Sequence, residues 1–101
     1  RNIPLAAGTG DETYLRLFEE ELVPEIERFR PDVILISAGF DAHAADPVGN
    51  MTVSSAGFGE MTRIVAEVAG RVCDNRIVSF LEGGYAMDAL TESVELHLRH
   101  L

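Results

Sequence analysis

Four side chains suited to catalysis or metal binding lie in two short stretches of the chain. Asp41, His43 and Asp46 occur within one loop-like segment, and Tyr85 directly follows the pair Gly83–Gly84. Carboxylates and imidazoles are zinc ligands, and they also carry protons in hydrolytic reactions. A phenol donates a hydrogen bond to an oxyanion that develops in a transition state. These residue types point to metal-assisted or acid–base chemistry where the two stretches meet.

Each of these residues also has a structural interpretation. Asp46 precedes a proline, and Asp-Pro commonly opens a turn. Asp41 is suited to tying its loop together through backbone amides. A single loop histidine such as His43 is more often structural or exposed than a ligand or proton carrier, and Tyr85 also fits an ordinary half-buried aromatic. Spacing alone therefore predicts a polar crevice but no catalytic set, since a hydrolytic zinc site usually takes three protein ligands.

Two apolar stretches position these loops. The run that starts at Val33 is continuous rather than alternating, which is typical of a strand buried on both faces of a parallel sheet. Arg76 to Leu81 reads as a second strand. Between them, apolar residues at helical spacing predict a helix capped by Ser54 or Ser55. Strand, helix and strand in this order predict a right-handed βαβ unit, so both loops are expected at the carboxyl edge of one sheet.

Two further helices flank this unit. Asp11 is expected to cap the first. The apolar stripe of this helix keeps its phase across Pro24, which predicts one kinked helix to about Arg30. The last helix carries His97 and His100, and both are expected to be exposed.

The composition describes one small globular domain of 101 residues, with 47% hydrophobic and 25% charged residues. A net charge of −9 with only 8 basic residues argues against direct binding to nucleic acid. The single cysteine excludes an internal disulfide and fits a reducing compartment, so a cytoplasmic location is expected. No apolar stretch approaches the roughly 20 residues that span a bilayer.

The motif SAGFDAHAADPVG at residues 37–49, followed by LEGGY at residues 81–85, resembles the histone deacetylase superfamily. The lead-in at residues 2–14 is also similar, so the resemblance covers essentially the whole chain. The Glu-Gly-Gly-Tyr form is similar to that of class II enzymes and of bacterial acetylpolyamine and acetoin-utilisation types. The resemblance implies a three-layer α/β fold of the arginase–deacetylase type with a parallel sheet. Residues 1–101 are then the C-terminal part of its catalytic domain.

The resemblance also implies an activity and individual roles. The parent protein is expected to be a zinc-dependent amidohydrolase that removes acetyl groups from lysine or polyamine nitrogen. Asp46 matches the second zinc-binding aspartate, and Tyr85 matches the tyrosine whose hydroxyl binds the polarised amide oxygen. Gly83 and Gly84 match glycines of the acyl-lysine tunnel, and Val53 falls near a tunnel-wall position. A tyrosine at position 85, where inactive relatives carry histidine, implies a competent parent enzyme.

Parts of the family's site have no counterpart in this sequence. Its Asp-x-His pair of zinc ligands and its tandem His-His base are missing, and His43 does not match the ligand histidine. The resemblance therefore implies that the chain alone is inactive and holds no stoichiometric zinc. The alternative is a non-catalytic interaction or assembly module that forms homo-oligomers through exposed sheet edges. A dinucleotide-binding unit is disfavoured because no Gly-x-Gly-x-x-Gly follows either strand.

Overall fold

The computed structural model describes every residue from Arg1 to Leu101. The elements in chain order are α1 (Asp11–Leu17), a π-helical segment (Phe18–Leu22), α2 (Val23–Phe29), β1 (Ile34–Ala38), α3 (Ser55–Val72), β2 (Ile77–Leu81) and α4 (Met87–His100). The two strands form a parallel sheet in which Ile34 lies beside Ile77 and Ala38 beside Leu81. The predicted α/β class and the βαβ unit are confirmed.

The first helical stretch is continuous over residues 11–29, as its apolar stripe predicts, but its middle is wound more widely. Pro24 has no N–H to give to the carbonyl one turn earlier, and the residues just before it adopt π-helical winding. The prediction that Asp11 caps this stretch is wrong. Gly10 is the N-cap residue and makes no side-chain capping bond, and the Asp11 carboxylate contacts another helix instead.

That other helix, α3, carries most of the core. Its N-cap is Ser54, whose Oγ accepts a hydrogen bond from the Gly57 N–H at 3.0 Å. One apolar cluster packs α3 against β1 and the loop that follows β1. Its members are Ala38, Phe40, Val53, Phe58 and Met61. The loop with the acidic residues therefore rests directly on packed side chains.

Helices cover only one face of the sheet. On the other face Leu35 is 65% exposed, and its β2 neighbours Val78 and Phe80 are 45% and 55% exposed. The predicted burial of the first strand on both faces is therefore not met within this chain. A cavity of about 390 Å³, with 13 hydrophobic residues among the 17 that line it, lies between the stripe of α1–α2 and β1. None of the helices combines the length and the apolar character that crossing a bilayer requires.

His97 is buried, which contradicts the prediction that it is exposed. Its Nδ1 lies 2.7 Å from Thr62 Oγ1, and its Nε2 lies 2.8 Å from Ser79 Oγ. The Thr62 hydroxyl donates to the Phe58 carbonyl at 2.8 Å, so it accepts from Nδ1–H, while the Ser79 hydroxyl donates to Nε2. Burial lowers the pKa of His97, so the fold holds the neutral imidazole.

Candidate active site at the carboxyl edge of the sheet

The loops that follow β1 and β2 meet, as the parallel topology predicts. The Phe40 N–H donates to the Gly83 carbonyl at 2.8 Å, which extends the pairing beyond the strands. Further along, the Tyr85 N–H donates to Asp46 Oδ2 at 2.8 Å. An acid of the first loop is therefore in direct contact with the residue of the second loop that carries the phenol.

The Asp46 carboxylate is occupied by backbone donors on both oxygens. Oδ1 accepts from the N–H groups of Val48 at 2.8 Å and Gly49 at 3.2 Å, and Oδ2 accepts from Tyr85. Desolvation alone would raise the pKa of Asp46, but these three backbone donors outweigh it and lower the pKa. Asp46 is thus an ionised clamp between the loops. Its role as a zinc ligand stays a prediction.

Asp41, in contrast, accepts no hydrogen bond from the chain. Its carboxylate lies against the backbone of both loops, since a Cβ on Gly83 would be 2.8 Å from Oδ1 and a Cβ on Gly39 would be 2.9 Å from it. Its charge also reaches Tyr14 of α1, whose pKa is raised first by burial and then by Asp41. Asp41 therefore lies between the two loops without a hydrogen-bond donor from the chain.

Gly49 fixes the backbone of Asp41. A Cβ at position 49 would lie 1.6 Å from the Asp41 carbonyl oxygen, so no other residue fits unless the loop moves. The Gly49 N–H also donates to Asp46, so Gly49 contacts both the Asp41 backbone and the Asp46 carboxylate.

The glycine pair after β2 has a backbone explanation. Gly84 has φ +129°, and a Cβ there would lie 2.7 Å from Leu90 Cδ1, so both its conformation and its packing require glycine. Gly83 leaves room for the Asp41 carboxylate. The tunnel roles of both glycines stay predictions. Tyr85, which follows them, is 61% exposed and presents its phenol at the surface.

Val53 lies in the core rather than at the surface of the site. Its side chain is 0% exposed, and its backbone pairs with Ala42 and Ala44, so it supports the loop from below. Its tunnel-wall role stays a prediction, and this burial argues against it. The large apolar side chain that is exposed in the loop between β1 and α3 (residues 39–54, the acidic loop) is that of Val48, at 60%. The sequence motifs did not indicate its exposure, although Val48 lies only two residues after Asp46.

The chain supplies only part of a metal site. His43 is hydrogen-bonded to Ser55 of α3 and to the Ala45 N–H, and no group of three His, Cys, Asp or Glu side chains is arranged to hold a metal ion. Carboxylates at a sheet edge fit zinc as donors, but completion of such a site requires ligands from outside these residues.

The fold and the paired loops define the chain as part of a deacetylase domain. The family model described as histone deacetylase domain matches residues 1–101, and the chain belongs to this family. The resemblance found in the sequence is confirmed.

Individual relatives agree with this assignment. The chain is 43% identical over 100 residues to histone deacetylase 14, chloroplastic, of Arabidopsis thaliana, and this match covers 99% of the chain and 24% of that protein. It is 42% identical over 87 residues to a probable deacetylase of Archaeoglobus fulgidus, covering 86% of the chain and 24% of that protein. The chain thus spans about a quarter of the length of these relatives.

A solved structure shows the same fold. The structure of the histone deacetylase Clr3 superimposes with a TM-score of 0.90 at 33% identity, covering 99% of this chain and 16% of that one. The arginase–deacetylase type of fold is therefore confirmed, and the sheet of this chain corresponds to part of a longer domain.

Proposed function

We propose that the protein containing this chain is a zinc-dependent deacetylase that hydrolyses the acetyl-amide bond of acetyl-lysine or of an acetylpolyamine. Membership of the histone deacetylase family supports amide hydrolysis. The observation that carries the proposal is the 2.8 Å contact between Asp46 Oδ2 and the Tyr85 N–H. This contact joins a carboxylate loop to the residue that carries a phenol at one edge of the sheet. Metal-assisted amide hydrolysis uses a carboxylate to hold the metal and a hydrogen-bond donor such as a phenol to stabilise the oxyanion.

Within this proposal Asp46 is the zinc ligand. Its three backbone donors fix the carboxylate and lower its pKa. Because an ionised carboxylate has about four lone-pair sites, Oδ2 keeps one for a metal, and hydrogen-bonded carboxylates are usual metal ligands. Bound zinc would acidify a water molecule and polarise the substrate carbonyl.

Tyr85 has the second role. Its backbone is fixed by Asp46 and by the conformation of Gly84, while the residue as a whole is 61% exposed. From there the phenol donates a hydrogen bond to the amide oxygen as negative charge develops on it.

The chain alone is then expected to be inactive. One ligand is fewer than the three protein ligands of a catalytic zinc site, and no group of three His, Cys, Asp or Glu side chains is arranged to hold a metal ion. Purified residues 1–101 should hold zinc at well below one ion per chain in metal analysis. A stoichiometric, tightly held ion would contradict this part of the proposal.

The test compares two carboxylate variants in the full-length protein. Asp46→Ala is expected to lose bound zinc and with it the hydrolysis of an acetyl-lysine peptide and of an acetylpolyamine. Asp41→Asn, which changes the neighbouring carboxylate, should keep most of the zinc and lower kcat by at most roughly 10- to 100-fold, as changes beside metal ligands do. Asp74→Asn, in the exposed turn before β2, is the matched control. The reverse pattern would give the ligand role to Asp41, and a wild-type protein without zinc or hydrolysis would refute the proposal.

We further propose a cytoplasmic location. Cys73 is free and buried, which suits a reducing compartment. A fluorescent fusion of the full-length protein tests this directly. Import into a plastid, the compartment in the name of the Arabidopsis relative, would contradict it.

A further inference from the structure

We infer that His43 is a positioning residue, which acts through Ser55 and Glu92 to hold the acidic loop on helices α3 and α4. The inference rests on the proposed function for its catalytic consequence, and it adds the device that fixes the loop. His43 lies two residues after Asp41 and three before Asp46. Its side chain therefore anchors the backbone that carries both carboxylates.

The direction of each hydrogen bond follows from the donors present. The Ala45 N–H donates to His43 Nδ1 at 3.0 Å, so the ring proton is on Nε2 and is donated to Ser55 Oγ at 3.0 Å. The Ser55 hydroxyl then donates to Glu92 Oε2 at 3.1 Å. The Ser93 hydroxyl donates to Ser55 Oγ at 3.3 Å. Loop, α3 and α4 are thus joined by one chain of bonds.

The middle of this chain is shielded from water. Ser55 is 6% exposed and Ser93 is 0% exposed, so removal of one partner leaves a buried hydroxyl without its bond, which costs more than loss of an exposed one. The arrangement is not a serine nucleophile with its base. The Ser55 proton points to a carboxylate and not to the imidazole, and its oxygen is closed off from a substrate.

The backbone around His43 transmits this anchoring to the site. The His43 N–H donates to the Phe40 carbonyl at 3.2 Å, and the His43 carbonyl accepts from the Asp46 N–H at 3.0 Å. The ring also lies parallel to that of Phe58 in α3, with centroids 6.5 Å apart. A shift of the imidazole is therefore passed to the peptide bond that precedes Asp41 and to the one that precedes Asp46.

Two substitutions separate the two ends of the imidazole. His43→Asn places an acceptor near the position of Nδ1, so it keeps the bond from Ala45 but is too short to reach Ser55. His43→Gln is long enough to offer a donor to Ser55. Ser55→Ala removes the bridge from the other side. Glu95→Ala, an exposed glutamate paired with Arg99 on the outer face of α4, is the control.

In the full-length protein we expect His43→Asn and Ser55→Ala to raise the rate of zinc loss to a chelator, and to lower kcat, each by about tenfold, with KM nearly unchanged. His43→Gln should recover most of both effects. The double variant should be no worse than either single variant, because both remove the same bond. Wild-type values for His43→Asn, or additive losses in the double variant, would overturn the inference.

A second measurement separates this inference from the proposed function. Amide hydrogen exchange of the full-length protein without zinc should be faster at residues 43–46 in His43→Asn and unchanged in Glu95→Ala. If the wild-type protein binds no zinc, the proposed function fails. The exchange measurement still tests whether His43 holds the acidic loop, because it needs no metal. Unchanged exchange at residues 43–46 would refute the anchoring whatever the metal content.

Discussion

Asp41 and Asp46 are two carboxylates five residues apart whose surroundings give them different properties. Asp46 accepts three backbone N–H groups, one of them from a residue 39 positions away. Asp41 accepts none, and glycines on two sides keep space around it. The two carboxylates therefore differ in their hydrogen bonding although they are the same residue type.

Tyr85→Phe tests the proposed role of the phenol in stabilising the oxyanion. The variant removes one hydroxyl that our proposal directs at the developing oxyanion, and such a loss lowers kcat by roughly 10² to 10³. We expect KM and bound zinc to stay close to wild type in the full-length protein, as measured by steady-state hydrolysis of an acetyl-lysine peptide and by metal analysis. A kcat within a factor of three of wild type would remove Tyr85 from the reaction.

A second residue-scale prediction concerns pH. The pKa of His97 in the folded protein lies below the ordinary value of about 6.5, because burial disfavours the charged ring. The unfolded chain therefore binds the proton more readily, and stability falls as the pH drops below about 6.5 towards the lowered pKa. Urea unfolding of the full-length protein at several pH values between 7.5 and 5 measures this fall.

His97→Gln supplies the comparison for that measurement. Glutamine stays neutral over the whole range, so the variant is expected to be less stable at pH 7.5 but to lose less stability on acidification. Equal slopes for the two proteins would show that another group causes the pH dependence.

The sequence predicted the positions of some of these residues but not the surroundings of others. It identified the loops of Asp46 and Tyr85, because an apolar strand followed by polar residues is a local pattern. From the resemblance, Asp46 and not Asp41 was predicted to be the zinc ligand, but the donor to Asp46, the N–H of Tyr85 in another loop, was not predicted. It placed His97 at the surface because its partners, Thr62 and Ser79, belong to other elements. A polar residue within an apolar helix face, such as Thr62, was the available signal.

At the scale of elements, the N-terminus of α3 is the junction of the fold. Asp11 of α1 accepts the Ser54 N–H at 2.7 Å and also the Ser54 hydroxyl. A Cβ on Gly57 would lie 2.4 Å from Asp11 Oδ1, so glycine allows this close approach. The next residue, Ser55, connects the same helix end to the acidic loop and to α4.

Asp11→Ala tests this junction. It leaves the Ser54 N–H without its charged acceptor, and a bond of this kind contributes about 1.5–3 kcal/mol. We expect a loss of that size in the free energy of unfolding of the full-length protein in urea. Glu12→Ala, an exposed neighbour, is the control, and an equal loss in both variants would show that Asp11 has no special role.

The elements themselves were the most predictable part of the molecule. The helical stripe kept its phase across Pro24, and the observed stretch is continuous. The π-helical winding at Phe18–Leu22 was not predicted, because a stripe at three- and four-residue steps does not distinguish it from an α-helix. The apolar run from Val33 predicted the strand but not the exposure of one of its faces. An apolar run alone does not show which faces of a strand are covered.

At the scale of the whole molecule, the exposed sheet face is the main feature. Leu35 and Phe80 are more than half exposed on neighbouring strands, and relatives are about four times as long as this chain. We expect residues 1–101 alone to self-associate through this face, because contiguous exposed apolar surface favours association. Light scattering during size-exclusion chromatography measures the mass.

A charged variant identifies the face. Leu35→Lys together with Phe80→Lys should shift residues 1–101 towards a monomer, whereas Glu95→Lys on the outer surface of α4 should not. A wild-type chain that stays monomeric at high concentration would refute this association.

The clamp between the two loops has a consequence for how this site tolerates change. Asp46 recognises position 85 through a main-chain N–H, and nineteen of the twenty amino acids offer that same donor, proline being the exception. Under the proposed function, replacing Tyr85 by any residue other than proline would therefore remove the phenol and its chemistry, while the hydrogen bond that joins the two loops stays in place.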